Sequence, residues 1–339
     1  MNFWKLLPRP FFALAPMEDV TDTVFREVIL SVSSPENLHV VFTEFMSVDG
    51  FLHPAGHDSV RHRMYISRQE REILREKGVR IVAQIWGSDP EKFHKVAGIL
   101  SSEYEFDGID INMGCPVSKI IRNKACSALI NFPQLAREII MATRDGSNLA
   151  VSVKTRIGFN EINTLEWISN LLEAEPAAIT IHGRTQKMQS NGTADWDEIR
   201  KAVSLRDELG KETVIIGNGD AESFRDGLEK AGSARTEGIM VGRGIFNNPA
   251  FFSEDEGLDL DQRLYLLKKH ITRFSEEWGT TKNPAILKRF YKIYVNSFEN
   301  ASEFRRILMN TKGFEEAMDI IREFENQLYV NERVSPAFY

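Results

Sequence analysis

Residues 79–102 read VRIVAQIWGSDPEKFHKVAGILSS, a short apolar run followed at once by a helix-like stretch. The run VRIVAQIWG (79–87) is rich in β-branched and apolar residues and is bounded by polar ones, which predicts a strand. Asp89 and Pro90 then give the signal that begins a helix. The apolar side chains that follow lie on one side of that helix: Phe93, Val96, Ile99 and Leu100. The stretch therefore predicts one strand–helix unit.

The same kind of unit recurs along the first 250 residues. Further apolar runs are FFALA (11–15), VVFTEF (40–45), GIDINMG (108–114), LAVSVKTRIG (149–158), AAITIHG (177–183), TVIIGNG (213–219) and EGIMVGRG (237–244). Continuous apolar strands that alternate with helices indicate a parallel sheet covered on both faces. Eight such units over about 250 residues favour a (β/α)8 TIM barrel over an open sheet.

The pattern changes after Pro249. Leu264, Leu267, Ile271 and Phe274 repeat at helical spacing. A second helical stripe follows, formed by Leu287, Phe290, Tyr291, Tyr294, Val295 and Phe298. Because 339 residues exceed the usual size of one hydrophobic core, we expect two domains. The sequence predicts a barrel over residues 1–250 and a small all-helical domain over residues 251–339, with the boundary near FFSEDEGLDLD (251–261).

Composition indicates a soluble cytoplasmic protein. Cys115 and Cys126, the only two cysteines, give no disulfide framework. Prolines 8, 10 and 16 interrupt the apolar N-terminal patch, and no apolar run approaches the roughly 20 residues needed to span a bilayer. We expect no membrane association, no metal and a monomer.

The net charge of −7 hides a local excess of basic residues. Residues 263–312 contain eleven Lys and Arg against four Asp and Glu, whereas residues 313–339 contain two against six. An acidic protein with one basic segment can still bind nucleic acid through that segment. The alternative is an ordinary solvated helix face.

Polar side chains follow nearly every predicted strand. In a (β/α)8 barrel these carboxyl ends form the active site, so their residue types bear on function. The polar groups at the ends include Glu18, Glu44, Gln84, Asn112, Lys154, Arg156, His182, Arg184, Asn218, Asp220 and Arg243. The last two ends, GNGD (217–220) and VGRG (241–244), combine glycines with Arg243 where such barrels often bind phosphate. The ring predicts a polar, planar, phosphorylated ligand.

Three residues allow more than one interpretation from position alone. Lys154 suits charge stabilisation on a reduced flavin, or a Schiff base in an aldolase. His182 suits either a ligand contact or a structural hydrogen bond. Cys115, between a glycine and a proline after a buried strand, is either core filling or a reagent.

Taken together in order, these motifs resemble the tRNA-dihydrouridine synthases of bacterial type, flavin enzymes that reduce selected uridines in tRNA. The resemblance runs from about Phe12 through the second domain. It rests on ALAPMEDVTD (13–22), TEF (43–45), VAQIWG (82–87), DINMGCPVSK (110–119), VSVKTRIG (151–158), IHGRT (181–185), IIGNGD (215–220) and MVGRGIFNNP (240–249).

The resemblance implies noncovalent FMN at the barrel mouth, with NADPH or NADH as the reductant. It places Pro16, Met17 and Gln84 at the flavin ring, Lys154 at its pyrimidine edge, and His182 near ring or phosphate. It assigns the phosphate to Asn218, Gly219, Asp220, Gly242 and Arg243, and places Asn112 and Arg156 near the substrate base. Cys115 matches the catalytic cysteine.

The implied reaction adds hydride to C6 and a proton to C5 of the uracil ring. The resemblance implies that NADPH reduces FMN and leaves, after which N5 of FMNH2 supplies the hydride and Cys115 the proton. A thiol with a reference pKa near 8.5 is mostly protonated at neutral pH and suits the acid role. Lys288 and Arg289 in the helical domain are candidates to contact the tRNA backbone.

Two positions depart from the family pattern. The family usually has glycines after the catalytic cysteine, where this chain has IIRNKACSALI (120–130). The family often has a histidine after a basic pair in the second domain, and here Phe290 follows Lys288 and Arg289.

Three other functions are alternatives to this one. They are another FMN barrel acting on free pyrimidines, a barrel that binds phosphate without redox chemistry, and a simple RNA-binding module.

Overall fold

The computed structural model of the protein describes residues 2–253, 257–279 and 281–334. Within these residues eight parallel strands close into a barrel in chain order. Strands β1 to β8 are Phe11–Leu14, Val40–Ser47, Arg80–Trp86, Gly108–Asn112, Ala150–Arg156, Ala178–His182, Val214–Asn218 and Gly238–Val241. The predicted (β/α)8 barrel is confirmed.

Helices alternate with the strands and continue after them. Helices α1 to α15 are Thr23–Val32, Val48–Leu52, His57–Val60, Arg68–Lys77, Pro90–Glu103, Ser118–Ile121, Pro133–Asp145, Thr164–Glu173, Trp196–Glu208, Phe224–Ala234, Gly244–Asn247, Leu260–Trp278, Tyr291–Tyr294, Ala301–Met309 and Phe314–Val334. Short 3-10 segments are Phe3–Lys5, Arg61–Met64, Cys126–Asn131 and Pro284–Phe290.

The strand–helix unit at residues 79–102 folds as predicted. The Asp89 side chain accepts hydrogen bonds from the backbone N–H groups of Glu91 and Lys92 and so caps α5, with Pro90 in its first turn. Phe93, Val96 and Leu100 are buried, and Ile99 is half-buried. The apolar stripe of α5 therefore supplies core, as its spacing indicates.

An aromatic cluster fills the amino end of the barrel. Trp4 is fully buried, stacks on Phe3 at 4.6 Å between ring centroids, and lies 5.7 Å from Phe11, the first residue of β1. Phe3 also approaches Gly108, the first residue of β4. Because apolar side chains close this end, polar function is confined to the carboxyl ends of the strands.

The chain divides into two compact units. One comprises residues 1–26 and 34–244, and the other comprises residues 27–33 and 245–339. Independent domains at 1–250 and 251–339 stay a prediction, and residues 254–256 of the predicted boundary lie outside the described residues. In the second unit, Leu264, Leu267, Ile271 and Phe274 are buried on α12, as predicted.

The single helix predicted from the stripe at 287–298 is wrong. The chain forms the 3-10 segment Pro284–Phe290 and then the short helix α13, Tyr291–Tyr294. Val295 leaves helical geometry at φ −97°, ψ 76°, and Ser297 has φ 63°, a left-handed conformation that ends a helix. The apolar spacing correctly predicted burial for every member of the stripe except Phe298, which is half-buried, but could not reveal these backbone breaks. No helix of the described residues is both long and apolar enough to cross a membrane.

Candidate active site

Strand register brings the predicted site residues of the barrel to one end. Asn112 lies opposite Lys154, Arg156 lies opposite His182, and His182 lies opposite Asn218. The strands are parallel, so their carboxyl ends share one mouth. The structure therefore places these residues at one mouth, whereas their contacts with a ligand stay predictions.

A directional chain of hydrogen bonds runs from Asp110 to the turn that carries Cys115. The backbone N–H groups of Gly114 and Cys115 donate to Oδ1 of Asn112 at 3.0 and 2.9 Å. Nδ2 of Asn112 therefore faces Oε1 of Gln84 at 3.0 Å, and Nε2 of Gln84 donates to Asp110 at 2.7 Å. Because a backbone N–H group can only donate, these two hydrogen bonds fix the orientation of the Asn112 side-chain amide, which in turn fixes that of Gln84.

This network gives Asn112 and Gln84 a structural role. Gln84 is fully buried and Asn112 is 6% exposed, and both side chains have partners within the barrel. Their most direct effect is to hold the turn 113–115 in place. Contact of Gln84 with a flavin ring and of Asn112 with a substrate base stay predictions.

Asp110 is a buried carboxyl group beside this network that the sequence prediction did not include among the site residues. It is fully buried, and Oδ1 accepts a 2.6 Å hydrogen bond from the Ser152 hydroxyl. Burial raises its pKa to about 6, against the opposing effects of Ser152, Gln84 and the charge of Lys154. The sequence did contain a signal, because Asp110 and Asn112 alternate along one strand and so point to the same side of it.

Lys154 places a cation inside the mouth. Its Nζ donates to Oδ1 of Asn218 at 3.1 Å, while Nδ2 of Asn218 donates to the Met240 carbonyl at 2.7 Å. Burial, followed by repulsion from Arg156, lowers the pKa of Lys154 to about 8. Asn218 is thus occupied in holding the lysine, and its predicted phosphate contact remains untested.

His182 lies where four cationic side chains converge. Nη1 of Arg184 is 3.2 Å from Nε2 of His182, and arginine can only donate, so this imidazole nitrogen accepts. Burial, followed by the charges of Lys154, Arg156, Arg184 and Arg243, lowers the pKa of His182 to about 2. His182 is therefore neutral at physiological pH and surrounded by positive potential. Such a site attracts an anionic ligand.

Asp220 binds arginines at the seventh strand end. Nη2 of Arg184 lies 2.8 and 2.7 Å from the two Asp220 carboxylate oxygens, and the Ala194 N–H donates to Oδ2 at 2.7 Å. Although partial burial acts in the opposite direction, the hydrogen bond from Arg184 lowers the pKa of Asp220. Arg243 approaches the same carboxylate at 3.3 Å. The Asp220 side chain therefore orients cations, and any phosphate contact from this residue falls to its backbone N–H.

Two glycines lie beside these cations. Gly219 has φ 126°, and a Cβ there would lie 2.6 Å from Cβ of Ala194. A Cβ at Gly242 would meet Cβ of Ala15 at 3.8 Å, an ordinary van der Waals distance. The half-buried backbone of Gly242 lies next to the exposed cation Arg243, and backbone N–H groups beside a guanidinium are donors that a phosphate requires, so these residues fit a phosphorylated cofactor.

The remaining predicted ring contacts follow β1. Pro16 is buried and Met17 is half-buried. The Met17 N–H donates to the Thr21 hydroxyl at 2.9 Å, and the Thr21 N–H donates back to the Met17 carbonyl at 3.0 Å. This closed turn fixes Met17 at the mouth and leaves its thioether available for an apolar contact.

Cys115 is partly exposed at the same mouth, and Arg156 supports its turn. Nε of Arg156 donates to the Gly114 carbonyl at 2.6 Å, and Nη1 donates to the carbonyls of Thr185 and Gln189. Burial lowers the pKa of Arg156 to about 10, which leaves it charged at neutral pH. A role of Arg156 beside the substrate base stays a prediction, whereas its support of the cysteine turn is visible.

Lys288 and Arg289 lie in the second unit. Nζ of Lys288 donates to the Met309 carbonyl at 2.6 Å, and Arg289 is exposed. Two other arginines of the basic segment have internal partners, since Arg305 donates to the Val295 carbonyl and Arg306 forms a bidentate pair with Glu303. The basic segment therefore holds fewer uncommitted charges than its composition indicates.

The chain is similar to one family of known proteins along nearly its whole length. The profile of the family described as dihydrouridine synthase (Dus) matches residues 13–329. A probable tRNA-dihydrouridine synthase of Staphylococcus aureus is 43% identical over 330 residues, covering 96% of this chain and 97% of the relative. Probable tRNA-dihydrouridine synthase 2 of Bacillus subtilis is 42% identical over 331 residues, with the same coverage. The chain therefore belongs to the dihydrouridine synthase family, a family of flavin-dependent oxidoreductases.

Proposed function

We propose that this protein is a tRNA-dihydrouridine synthase that uses FMN and NADPH or NADH to reduce the C5=C6 bond of specific uridines in tRNA. The names of its relatives support the tRNA substrate. The observation that carries the proposal is the placement of Cys115 at a mouth that also holds Lys154 and Arg156. An acid and two cations at one barrel mouth suit the reduction of a uracil ring.

FMN would lie in this mouth. Bound and reduced, it supplies the hydride that adds to C6 of the uracil ring. Lys154 offers a cation for the pyrimidine edge, and neutral His182 offers a hydrogen bond without adding to the positive charge. Gly219, Gly242 and Arg243 offer backbone and guanidinium donors for the phosphate. Pro16 and Met17 would border the ring.

Cys115 would deliver the second hydrogen. When C6 accepts hydride, negative charge develops toward C5 and the uracil carbonyl at C4. Proton transfer from Sγ of Cys115 to C5 removes that charge and leaves a thiolate. The turn that carries Cys115 is fixed by Asn112 and by Arg156, so the thiol is held in place before the substrate arrives.

The target uridine must leave its stacked position to reach such a mouth. The helical unit would bind the tRNA backbone through exposed basic side chains, with Lys288 and Arg289 as the first candidates. Arg289 and Lys292 are exposed, which is consistent with this role.

The test uses the purified full-length protein and an unmodified tRNA transcript. We expect a flavin absorbance spectrum, consumption of NADPH or NADH that depends on tRNA, and dihydrouridine at discrete positions mapped by sequencing. Lys95→Ala, an exposed change on the outer helix α5, serves as the control that retains activity. Turnover of free uracil or uridine without activity on tRNA would contradict the proposal, and so would a preparation that binds no flavin.

A further inference from the structure

Cys126 occupies an unusual backbone position. It begins the 3-10 segment Cys126–Asn131 with φ 54°, in the left-handed region that favours glycine. A residue with a Cβ is strained in this region, because its Cβ lies too close to the following carbonyl oxygen. Its side chain is fully buried among Ile120 and Ala125, and Trp86 and Cys115 pack against this cluster. Because glycine would relieve this backbone, the Cys126 thiol is a candidate for a functional role.

The Cys126 and Cys115 side chains therefore belong to one packed cluster, and each affects the pKa of the other. The following residue strengthens this contact, because the Ser127 hydroxyl donates to the Cys115 carbonyl at 2.8 Å and its N–H approaches the same oxygen at 3.4 Å. The segment after the loop is therefore tied directly to the Cys115 turn. Both cysteines are free thiols.

We propose that Cys126 is a positioning residue that donates its S–H to Sγ of Cys115 and so stabilises the thiolate left after Cys115 gives its proton to C5 of the uracil ring. This inference rests on the proposed acid role of Cys115. In the step, the Cys115 S–H bond breaks, a C–H bond forms at C5, and the electron pair remains on Sγ of Cys115. Cys126 keeps its own proton, and Cys115 regains one from solvent after product release.

The direction of the hydrogen bond follows from burial. Burial raises the pKa of Cys126 well above its usual value, so Cys126 remains a protonated donor. The hydrogen bond from Cys126 is the largest cause that lowers the pKa of Cys115, against the opposing effect of burial. The backbone N–H of Val117 also acts to lower the pKa of Cys115. Hydrogen-bond donors beside a sulfur favour its charged form.

Other charged groups also face Cys115 and affect the same equilibrium. Arg156 and Lys154 favour the thiolate, whereas Glu18 disfavours it. These groups lie on other elements and remain in place when Cys126 is replaced. Their contribution is therefore common to the wild-type protein and to every Cys126 variant, which isolates the thiol–thiol hydrogen bond.

The two-cysteine composition makes the test specific. Any Cys126 substitution leaves Cys115 as the only thiol, so alkylation by iodoacetamide measures Cys115 alone. The rate would be followed from pH 6 to pH 10 on the reduced, flavin-loaded protein. Because the thiolate is the reacting form, the profile reports the pKa of Cys115. Cys115→Ser, which leaves only buried Cys126, gives the background.

We expect Cys126→Ala to shift the profile to higher pH and slow alkylation at pH 7 by about tenfold, the effect of losing one hydrogen bond to a charged group. Cys126→Gly removes the same donor but relieves the backbone, and we expect the same shift. Cys126→Ser keeps a donor and the strain, so its profile should stay within about twofold of wild type. If the profile of Cys126→Ala matches that of Cys126→Gly, and the profile of Cys126→Ser matches wild type, the shift comes from the hydrogen bond and not from the backbone.

An unchanged profile in both Cys126→Ala and Cys126→Gly would overturn the inference, and so would a shift in Cys126→Ser equal to that in Cys126→Ala. On tRNA, we expect Cys126→Ala to lower kcat severalfold with little change in KM. Failure of the proposed function is a distinct result, since Cys115→Ala would then retain its rate whatever the alkylation profile shows.

Discussion

The barrel mouth and the helical unit both carry basic residues, but they hold them in opposite ways. In the mouth, Lys154, Arg156 and Arg184 are wholly or largely removed from solvent and lie close enough to lower the pKa of His182. In the helical unit, Arg306 is exposed and paired with a neighbouring carboxylate. Burial makes the charges of the mouth strong and fixed, whereas solvent weakens those of the helices.

This difference predicts two kinds of mutational response. Groups in the mouth should produce large, pH-dependent changes in cofactor binding or turnover. Groups on the helices should produce smaller changes that depend on salt, because each contributes a screened contact to a polyanion.

The largest effect should come from Cys115→Ala. We expect the variant to retain flavin and tRNA affinity while kcat falls about 100-fold to 1000-fold, because a general acid contributes on this order. Single-turnover formation of dihydrouridine measures the loss. A rate within threefold of wild type would remove the acid role, and Ser118→Ala, an exposed change at the start of α6, provides the matched control.

Lys154→Met should follow. We expect FMN affinity to fall about thirtyfold at pH 7, the effect of losing a hydrogen bond to a charged group. The pKa of Lys154 is lowered to about 8, so its charge is lost as pH rises through about 8. Wild-type affinity for the anionic cofactor should therefore weaken between pH 7 and 9, whereas the affinity of the variant should not change over this range.

The same lowered pKa has a consequence for folding. Because the folded state disfavours charged Lys154, its contribution to the stability of the flavin-free protein is present above the unfolded pKa and is lost as pH falls through about 8. Fluorescence titration with FMN and urea unfolding of the flavin-free protein measure the two effects. A pH-dependent affinity in Lys154→Met equal to that of wild type would assign the titration to another group.

Much of this mouth could be predicted because strand ends in a closed barrel must meet. Apolar runs gave the eight strands, and polar residues after them gave Lys154, His182 and Asn218 together. Family motifs then singled out Cys115. These signals are local in sequence or fixed by topology, so a single chain is enough to read them.

Other features depend on tertiary contacts that a pattern does not encode. The pairing of Arg184 with Asp220 joins residues 36 apart, and the role of Asp110 depends on Gln84 from another strand. The positive φ of Cys126 has no signature in the sequence, since the conformation is imposed by packing around it. In the helical unit, the stripe at 287–298 predicted burial but not the break at Val295.

A smaller effect is expected from Lys288→Glu combined with Arg289→Glu. Reversing two charges that contact phosphate should weaken tRNA binding about tenfold at 100 mM salt and reduce its salt dependence, without loss of flavin. Filter binding over a salt series measures both. Arg68→Glu with Arg75→Glu, an equal reversal of exposed charges on α4, is the control. Equal losses in both pairs would indicate a general charge effect, and no loss in either would place the RNA surface elsewhere.

The smallest effects should separate paired from unpaired charges within the helical unit. Arg306 forms a bidentate pair with Glu303, so a phosphate would compete with a carboxylate already in place. Lys292 is exposed and has no side-chain hydrogen bond or ion pair among residues 2–253, 257–279 and 281–334. We expect Lys292→Ala to weaken tRNA binding about threefold and Arg306→Ala by less than about twofold. The reverse order would show that the pair with Glu303 opens on binding and that exposure alone, rather than the absence of a partner, identifies the residues that contact tRNA.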